Sequence, residues 1–185
     1  MKKITSVILL TVFLLAVCSC GAVPDKDELS SALLSPYKAT ALINDGGDVY
    51  TADISLDEKG VLSLCISEPA LLCGVSYGFT GDESYVVYND LMIPLDEEKA
   101  AGRFSKGVLV WKDMLSPDGD YSVRSVADKQ KKQYVMTDGK TEYRFDGDKK
   151  PVLIKNGDIT ITISDFRIKN DKASESIGAD IESGA

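Results

Sequence analysis

The chain has 185 residues, with 21 Lys and Arg against 29 Asp and Glu, and therefore a formal net charge of −8 at pH 7. A chain this acidic is repelled by phosphates, so no nucleic acid is expected among its partners. The sequence contains no histidine, which excludes Ser-His-Asp and Cys-His catalysis in their usual forms and removes the commonest metal ligand.

The N-terminus has the pattern of an export signal. Lys2 and Lys3 precede an apolar run from Ile4 to Val17, which is the order found in secretory signal peptides. The run is too short to span a bilayer comfortably. We therefore expect the chain to act outside the cytosol.

The stretch VCSC at residues 17–20 resembles a bacterial lipobox, in which a small residue precedes a cysteine that is acylated and becomes the first residue. Ser19 is small enough for the position before the cut, whereas acylation at Cys18 would place the β-branched Val17 there. We therefore expect residues 1–19 to be removed as a lipoprotein signal peptide and Cys20 to be lipidated. Acylation at Cys18, ordinary cleavage after Ala22 and no cleavage at all are the alternatives.

The lipobox resemblance implies a diacylglyceryl cysteine, with palmitate-like chains, on the extracytoplasmic face of the cell membrane. Two or more acyl chains hold a protein stably at a membrane, whereas one binds only marginally. After loss of Lys2 and Lys3, 19 basic side chains face 29 acidic ones, a net charge of −10. No polybasic patch assists binding, so the lipid anchor must supply it.

The first predicted element of the mature chain is a helix at residues 25–35, DKDELSSALLS. Leu29, Leu33 and Leu34 are spaced for one helical face, and Pro36 stops the helix. An unstructured linker is the alternative. Three strands follow, YKATALIN, DVYTADISLD and GVLSLCIS, separated by DGGD and DEKG.

The middle of the chain mixes strands and helix. We expect a helical turn at Pro69 to Leu72, then strands near Gly74 to Phe79 and Ser84 to Tyr88. In residues 96–115 the apolar residues recur every three or four positions, which predicts a helix or two helices hinged near Gly102 to Gly107.

The last part of the chain has the pattern of an antiparallel meander. Five further strands, YSVRSVAD, KQYVMTD, KTEYRFD, KPVLIKN and DITITISDFRI, lie among Asp-Gly and Asn-Gly pairs, the strongest local hairpin signals. These pairs are Asp118-Gly119, Asp138-Gly139, Asp146-Gly147 and Asn156-Gly157. Residues 170–185 have little apolar content and are predicted to be disordered.

Together the elements predict an α+β fold of nine to eleven strands. The expected architecture is a strongly curved open antiparallel sheet, a half-barrel, with helices packed on its concave face. Two packed sheets are the alternative. Residues 20–169 are expected to form a single domain with an N-terminal tether and helix.

Three stretches carry a resemblance to a known family: SEPALLCGVSYGF at residues 67–79, YNDLMIPLDEEK at 88–99 and DKKPVLIKNGDITITISDFRI at 148–168. The first resembles a strand, a Pro-containing turn and a Gly-aromatic strand of the lipoprotein-carrier-like (LolA/LolB/RseB-like) half-barrel. The second resembles the strand before the lid helices of that fold, and the third resembles its closing hairpin. The resemblance implies a cavity between sheet and helices, often lined by apolar side chains, and no catalysis.

Two departures from the carriers bear on function. The carriers hold their lid with an arginine from an early strand, whereas this chain has no arginine before Arg103. The carriers are also soluble shuttles, and this chain is predicted to be anchored. We therefore expect a tethered relative with a task other than lipoprotein transport.

Two sets of residues are candidates for a site. Cys65 and Cys73 lie either side of the predicted Pro69 turn, outside the reducing cytosol, so a disulfide between them is one interpretation and two buried free thiols are the other. An apolar set forms either a hydrophobic cavity or a closed core. This set is Leu62, Leu64, Ile66, Phe79, Trp111 and Met114.

The sequence carries no motif for metal or cofactor binding. The acidic groups at Asp113, Asp118 and Asp120, and at Asp146 and Asp148, do not match a calcium loop. Turn formation and surface charge explain them. We therefore predict no metal site and no cofactor.

The sequence predicts a non-enzymatic, membrane-anchored envelope lipoprotein that binds a hydrophobic ligand or a protein partner. The alternative is a pure protein-interaction module with a closed core, in an envelope, sporulation or germination process. A hydrolase that uses carboxylates alone ranks third, because no spacing singles out a catalytic pair.

Overall fold

The computed structural model describes residues 23–81, 83–96, 105–114, 120–128 and 131–169. Within these residues the chain forms two helices and eleven strands. The helices are α1 (Lys26–Leu34) and α2 (Ser105–Met114). The strands are β1 (Tyr37–Asp45), β2 (Asp48–Leu56), β3 (Leu62–Glu68), β4 (Ser76–Thr80), β5 (Glu83–Tyr88), β6 (Leu91–Pro94), β7 (Ser122–Asp128), β8 (Lys131–Thr137), β9 (Thr141–Phe145), β10 (Pro151–Asn156) and β11 (Ile159–Ile168).

All eleven strands belong to one antiparallel sheet with the order β6-β5-β4-β3-β2-β1-β11-β10-β9-β8-β7. Two meanders, β1 to β6 and β7 to β11, are joined by the pairing of β1 with β11, in which Tyr37 faces Ile168 and Asp45 faces Ile159. β6 and β7 are the two edges, so the sheet is open. The predicted α+β fold with an open antiparallel sheet is confirmed, and the alternative of two packed sheets is wrong.

The path from β6 to β7 runs from one edge of the sheet to the other, and α2 lies on that path. The most extensive contacts of α2 are with β1 and β11, the two central strands. The long connection thus returns across the middle of the sheet, and α2 covers the centre of one face.

That face is the apolar one. Burial alternates along the central strands with a period of two residues, as on β1, where Tyr37, Ala39, Ala41 and Ile43 are buried. Leu29 and Leu33 of α1, with Val108 and Trp111 of α2, belong to the same buried cluster. Both helices therefore pack against the apolar face of the sheet. That this face is the concave one stays a prediction.

The helix α1 begins and ends where its sequence indicates. The side chain of Asp25 accepts a hydrogen bond of 2.8 Å from the backbone N–H of Glu28, which is an N-cap. Ser35, the residue before Pro36, is extended, as the proline requires. An ion pair between Glu28 and Lys149 ties α1 to the turn between β9 and β10.

Aspartates form the turns at Asp138 and Asp146, as the sequence predicts. Oδ1 of Asp138 accepts hydrogen bonds from the N–H groups of Lys140 and Thr141 at 2.8 and 2.7 Å. Oδ1 of Asp146 accepts from Asp148 and Lys150, both at 2.9 Å. Such Asx turns fix the hairpins and use the carboxylate oxygens locally.

Several predictions concern residues outside the described part of the chain. These are the signal peptide at 1–19, lipidation at Cys20, the helical residues before Ser105, the Asp118-Gly119 turn and the disordered tail at 170–185. They stay predictions.

Candidate binding surfaces

The residues predicted to line a hydrophobic cavity lie together in the core. Leu62, Leu64 and Ile66 of β3, Phe79 of β4 and Trp111 of α2 are all buried, Phe79 being the most exposed of them at 4%. Met114 lies at the end of α2, and its side chain is outside the described part. The five described residues are packed against other apolar side chains, which is the closed-core interpretation.

A hydrogen bond within the core holds α2 to the sheet. The indole Nε1 of Trp111 donates to the hydroxyl of Tyr37 on β1 at 2.8 Å. The ring of Tyr37 also packs on Phe166 of β11, with ring centroids 4.9 Å apart. The indole N–H of Trp111 and the phenol oxygen of Tyr37 thereby form a hydrogen bond inside the core.

Three tyrosine side chains in this region are buried, those of Tyr37, Tyr50 and Tyr143. Burial raises the pKa of Tyr37 above its usual value, although the hydrogen bond from Trp111 opposes the rise. Burial also raises the pKa of Tyr50 and of Tyr143. In all three cases the raised pKa follows from burial of the phenol, which disfavours its charged form.

At Gly107 the backbone of α2 lies so close to the side chains of the sheet that no space remains between helix and sheet. A Cβ atom placed on Gly107 would lie 2.6 Å from Cγ2 of Ile43 and 2.6 Å from the hydroxyl of Tyr50. Only glycine fits there without displacing the helix. The centre of the apolar face is therefore filled by α2 itself.

A buried carboxylate lies at the N-terminal turn of α2. Asp45, at the end of β1, is 6% exposed and accepts a hydrogen bond from the backbone N–H of Gly107. Burial raises the pKa of Asp45, and the charges of Asp158 and Asp48 add to the rise, while the Gly107 hydrogen bond and Lys106 oppose it. Asp45 thus satisfies a free N–H of the helix from a distant strand.

The opposite face of the sheet has two shallow depressions, and each cysteine lines a different one. One has a volume of about 540 Å³ and includes Cys65 in its lining. The other, about 560 Å³, includes Cys73. Both cysteines are exposed free thiols. Residue Ser76, not Cys73, stands opposite Cys65 in the pairing of β3 with β4.

Among the residues that the structure describes, the largest group of exposed apolar side chains lies at the β6 edge. Tyr88, Leu91, Met92 and Ile93 are 47%, 61%, 62% and 51% exposed. We call these four residues the edge patch. A depression of about 370 Å³ adjoins them, lined in part by Tyr85, Met92 and Pro94. Met92 projects from one face of the sheet and Leu91 and Ile93 from the other, so this strand edge exposes apolar side chains on both faces.

The backbone of β6 offers limited pairing to a further strand. Leu95 donates its N–H to the carbonyl of Ser84 at 2.7 Å, and hydrogen-bonded positions alternate along an antiparallel pair. In the register of β5 with β6, the backbone groups of Met92 and Pro94 therefore point away from the sheet. Pro94 has no N–H, so Met92 is the only residue of β6 whose N–H and C=O are both directed outward.

The sequence analysis did not identify the edge patch. The signal was present: Leu91, Met92 and Ile93 form a run of three large apolar residues, which is unusual at exposed positions. The local sequence pattern did not predict a strand at β6. Only the family resemblance of residues 88–99 implied one. Which strand forms the edge depends on pairing along the whole chain.

The described residues offer neither a metal site nor a membrane span. They contain no group of three or more Cys, Asp and Glu residues arranged to hold a metal ion. Neither helix among them has the length and apolarity needed to cross a bilayer.

No family model matches the sequence, and no curated protein matches it either. Solved structures do match. An uncharacterized conserved protein from Thermus thermophilus aligns with a TM-score of 0.51 and 13% identity over 78% of this chain and 85% of that one. This likeness shows a shared fold and no more.

Matches with lower TM-scores include members of the family named in the sequence analysis. A LolA superfamily protein from Nitrosomonas europaea gives a TM-score of 0.43 at 12% identity, over 74% of this chain and 87% of that one. Lipoprotein LppX from Mycobacterium tuberculosis gives 0.38 at 12%, over 77% and 96%. A putative outer membrane lipoprotein-sorting protein domain from Vibrio parahaemolyticus is a further match, with a TM-score of 0.38 at 9% identity over 75% of this chain and 87% of that one.

Proposed function

We propose that the protein is a non-enzymatic lipoprotein, held at the extracytoplasmic face of the membrane by lipid on Cys20, and that it binds a protein partner through the edge patch. The exposure of Tyr88, Leu91, Met92 and Ile93 on an open strand edge is the observation that carries the proposal. Residues 20–169 act in it as one domain.

The packed interior favours a protein partner over a hydrophobic ligand. A ligand cavity needs several hundred Å³ of apolar space. The five described residues predicted to line one are instead buried in a single cluster, and Trp111 uses its only polar atom on Tyr37. A ligand between helix and sheet would have to displace α2.

The edge patch has the composition and position of a protein-binding surface. Tyrosine and methionine are enriched at the centres of protein interfaces. An extended segment of a partner can add to a free strand edge, where backbone hydrogen bonds give affinity and side-chain contacts give specificity. Here Met92 supplies the backbone pairing, and the neighbouring side chains supply the apolar contacts.

The binding site is tested by site-specific crosslinking in living cells. A photoreactive amino acid placed at Met92 should crosslink one protein, and the same amino acid at Leu71, which is 89% exposed on a turn, should not. Purified partner should then bind Met92→Ser/Ile93→Ser at least tenfold more weakly than wild type, since truncated central contacts are the costly ones. Leu71→Ser is the matched control.

Two results would contradict the proposal. One is identical crosslinking from Met92 and Leu71. The other is a stoichiometric lipid that is released from the purified protein and is lost when the core, but not the edge patch, is altered.

The anchor is tested separately. A palmitate analogue fed to cells should label the wild-type protein, and Cys20→Ala should abolish the label. Cys18→Ala should leave it unchanged, because that residue is removed with the signal. Labelling that survives Cys20→Ala would place the anchor elsewhere.

A further inference from the structure

Charge is distributed unevenly along the strand order. Residues 60–98, which supply β3 to β6, contain seven acidic residues and no lysine or arginine. Residues 120–169, which supply β7 to β11, contain 11 lysines and arginines. Residues 120–169 also contain eight aspartates and glutamates. Among the described residues of 60–98 the charged side chains are Glu68, Glu83, Asp90 and Asp96, so the half of the sheet that carries the edge patch is the acidic half.

Carboxylates lie at both ends of the edge patch. Asp90 occupies the turn before β6. Glu83 begins β5, whose first residues lie beside the last residues of β6, so it lies at the other end. The cation Lys112 of α2 lies over the ring of Phe79, on β4, two strands from the edge. The patch thus has an apolar centre between acidic ends.

We propose that the partner segment bound at the edge patch is short, extended, apolar in its middle and basic at both ends. This inference rests on the proposed function and specifies its partner. Met92 limits backbone pairing to a few residues, and the apolar contacts span only Tyr88 to Ile93. Lysine or arginine at the ends of the segment would meet carboxylates, and complementary charges at an interface rim favour association and fix register.

Charge argues against two other occupants. A second copy paired through its own β6 in antiparallel fashion about Met92 would place the Asp90 end of one edge patch beside the Glu83 end of the other, and like charges at an interface disfavour pairing. An anionic membrane surface would also repel Asp90 and Glu83. A segment that is apolar in its middle and basic at its ends complements both the apolar centre and the acidic ends of the edge patch.

The test uses three synthetic ten-residue peptides with the full-length lipoprotein in neutral detergent. All share a central stretch of alternating valine and threonine, flanked on both sides by two lysines, two serines or two glutamates. We expect the lysine-flanked peptide to bind about three- to tenfold more tightly than the serine-flanked one, and the glutamate-flanked one to bind most weakly. The differences should shrink as salt is raised.

Matched variants separate the acidic ends from the overall negative charge. Glu83→Gln/Asp90→Asn should remove most of the lysine advantage. Asn suits the positive φ of 64° at residue 90. Asp148→Asn/Asp165→Asn removes the same charge at sites on or next to β10 and β11, on the other side of β1, and should leave the advantage intact. Asn also suits the φ of 51° at residue 165.

The outcomes distinguish this inference from the function on which it rests. If the three peptides bind equally and Met92→Ser/Ile93→Ser weakens their binding, the inference that the partner is basic is wrong. The edge patch then remains the binding site. An equal effect of the two double charge variants also overturns this inference, because attraction would then follow net charge. Absence of binding by every peptide, with partner binding insensitive to Met92→Ser/Ile93→Ser, overturns both. Self-association that depends on Met92 would make the occupant a second copy and overturn the inference.

Discussion

Trp111 and Tyr37 join the helix that crosses the sheet to the first strand of the sheet. The indole N–H donates a 2.8 Å hydrogen bond to the phenol oxygen in the buried core. Because α2 lies between two edges of an open sheet, this bond fixes the helix over the central strands β1 and β11. Both side chains are buried in the same apolar cluster.

Removal of either partner of this hydrogen bond should destabilise the protein. Trp111→Phe leaves the Tyr37 hydroxyl buried without a donor and removes volume from the core, so we expect a loss of about 2–4 kcal/mol in the free energy of unfolding. Tyr37→Phe leaves the indole N–H buried without its acceptor and should lower the free energy of unfolding by about 1–3 kcal/mol. Urea denaturation measures both losses. The double variant should lose less than the two singles together, and strict additivity would show that the bond contributes nothing.

Glycine at position 107 should be required by packing. Gly107→Ala improves helix propensity by about 1 kcal/mol. Its Cβ would lie 2.6 Å from Cγ2 of the buried Ile43, and such overpacking costs about 1–3 kcal/mol. We expect a net loss of up to about 2 kcal/mol in urea denaturation. Lys106→Ala, an exposed neighbour in the same helix, should change stability by less than about 0.5 kcal/mol, and a stabilised Gly107→Ala would contradict the packing.

Local pattern in the sequence predicts most elements of this fold because those elements depend on local physics. Aspartate and glycine at Asp138-Gly139 and Asp146-Gly147 form turns by hydrogen bonds within a few residues. Alternation along β1 follows from the two-residue period of a strand. The spacing of Val108 and Trp111 places both on the buried side of α2.

The candidate site depends on contacts between distant parts of the chain, which local pattern does not contain. Pairing of β1 with β11 makes β6 an edge, and that pairing joins the two ends of the described chain. The sequence Leu91-Met92-Ile93 looks like a core strand, and only the strand order exposes it. The contact of Asp45 with Gly107 likewise links a hairpin turn to a helix far along the chain.

The two cysteines should react as free thiols in the folded protein. Cys65 and Cys73 are exposed and line different depressions, so no bridge protects them. A maleimide added without reductant should modify two thiols per chain in protein that carries Cys20→Ser and lacks the signal peptide. Cys65→Ser and Cys73→Ser should each lose one label. Two labels that appear only after reduction would instead establish the disulfide.

The stability of the fold should depend on pH through Asp45. Burial raises the pKa of Asp45 in the folded protein above the 3.8 of an unperturbed aspartate. Between those two pKa values the folded state holds a proton that the unfolded state has released, so this carboxyl stabilises the fold less as the pH rises through that window. Asp45→Asn removes the charge and keeps an acceptor for the N–H of Gly107. It should therefore be more stable than wild type at pH 7 and should lose that advantage below about pH 3.8.

A second variant separates the charge of Asp45 from its hydrogen bond. Asp45→Ala also removes the charge but leaves the N–H of Gly107 without this acceptor, so it should be less stable than Asp45→Asn by about 1–2 kcal/mol at every pH. Only the difference between each variant and wild type is compared, because Asp57 and Asp138 have lowered pKa values and give the opposite pH slope. Urea denaturation from pH 3 to pH 8 measures all three proteins. An Asp45→Asn variant less stable than wild type at pH 7 would show that the ionised carboxylate, not a neutral acceptor, is what the N-terminus of α2 requires.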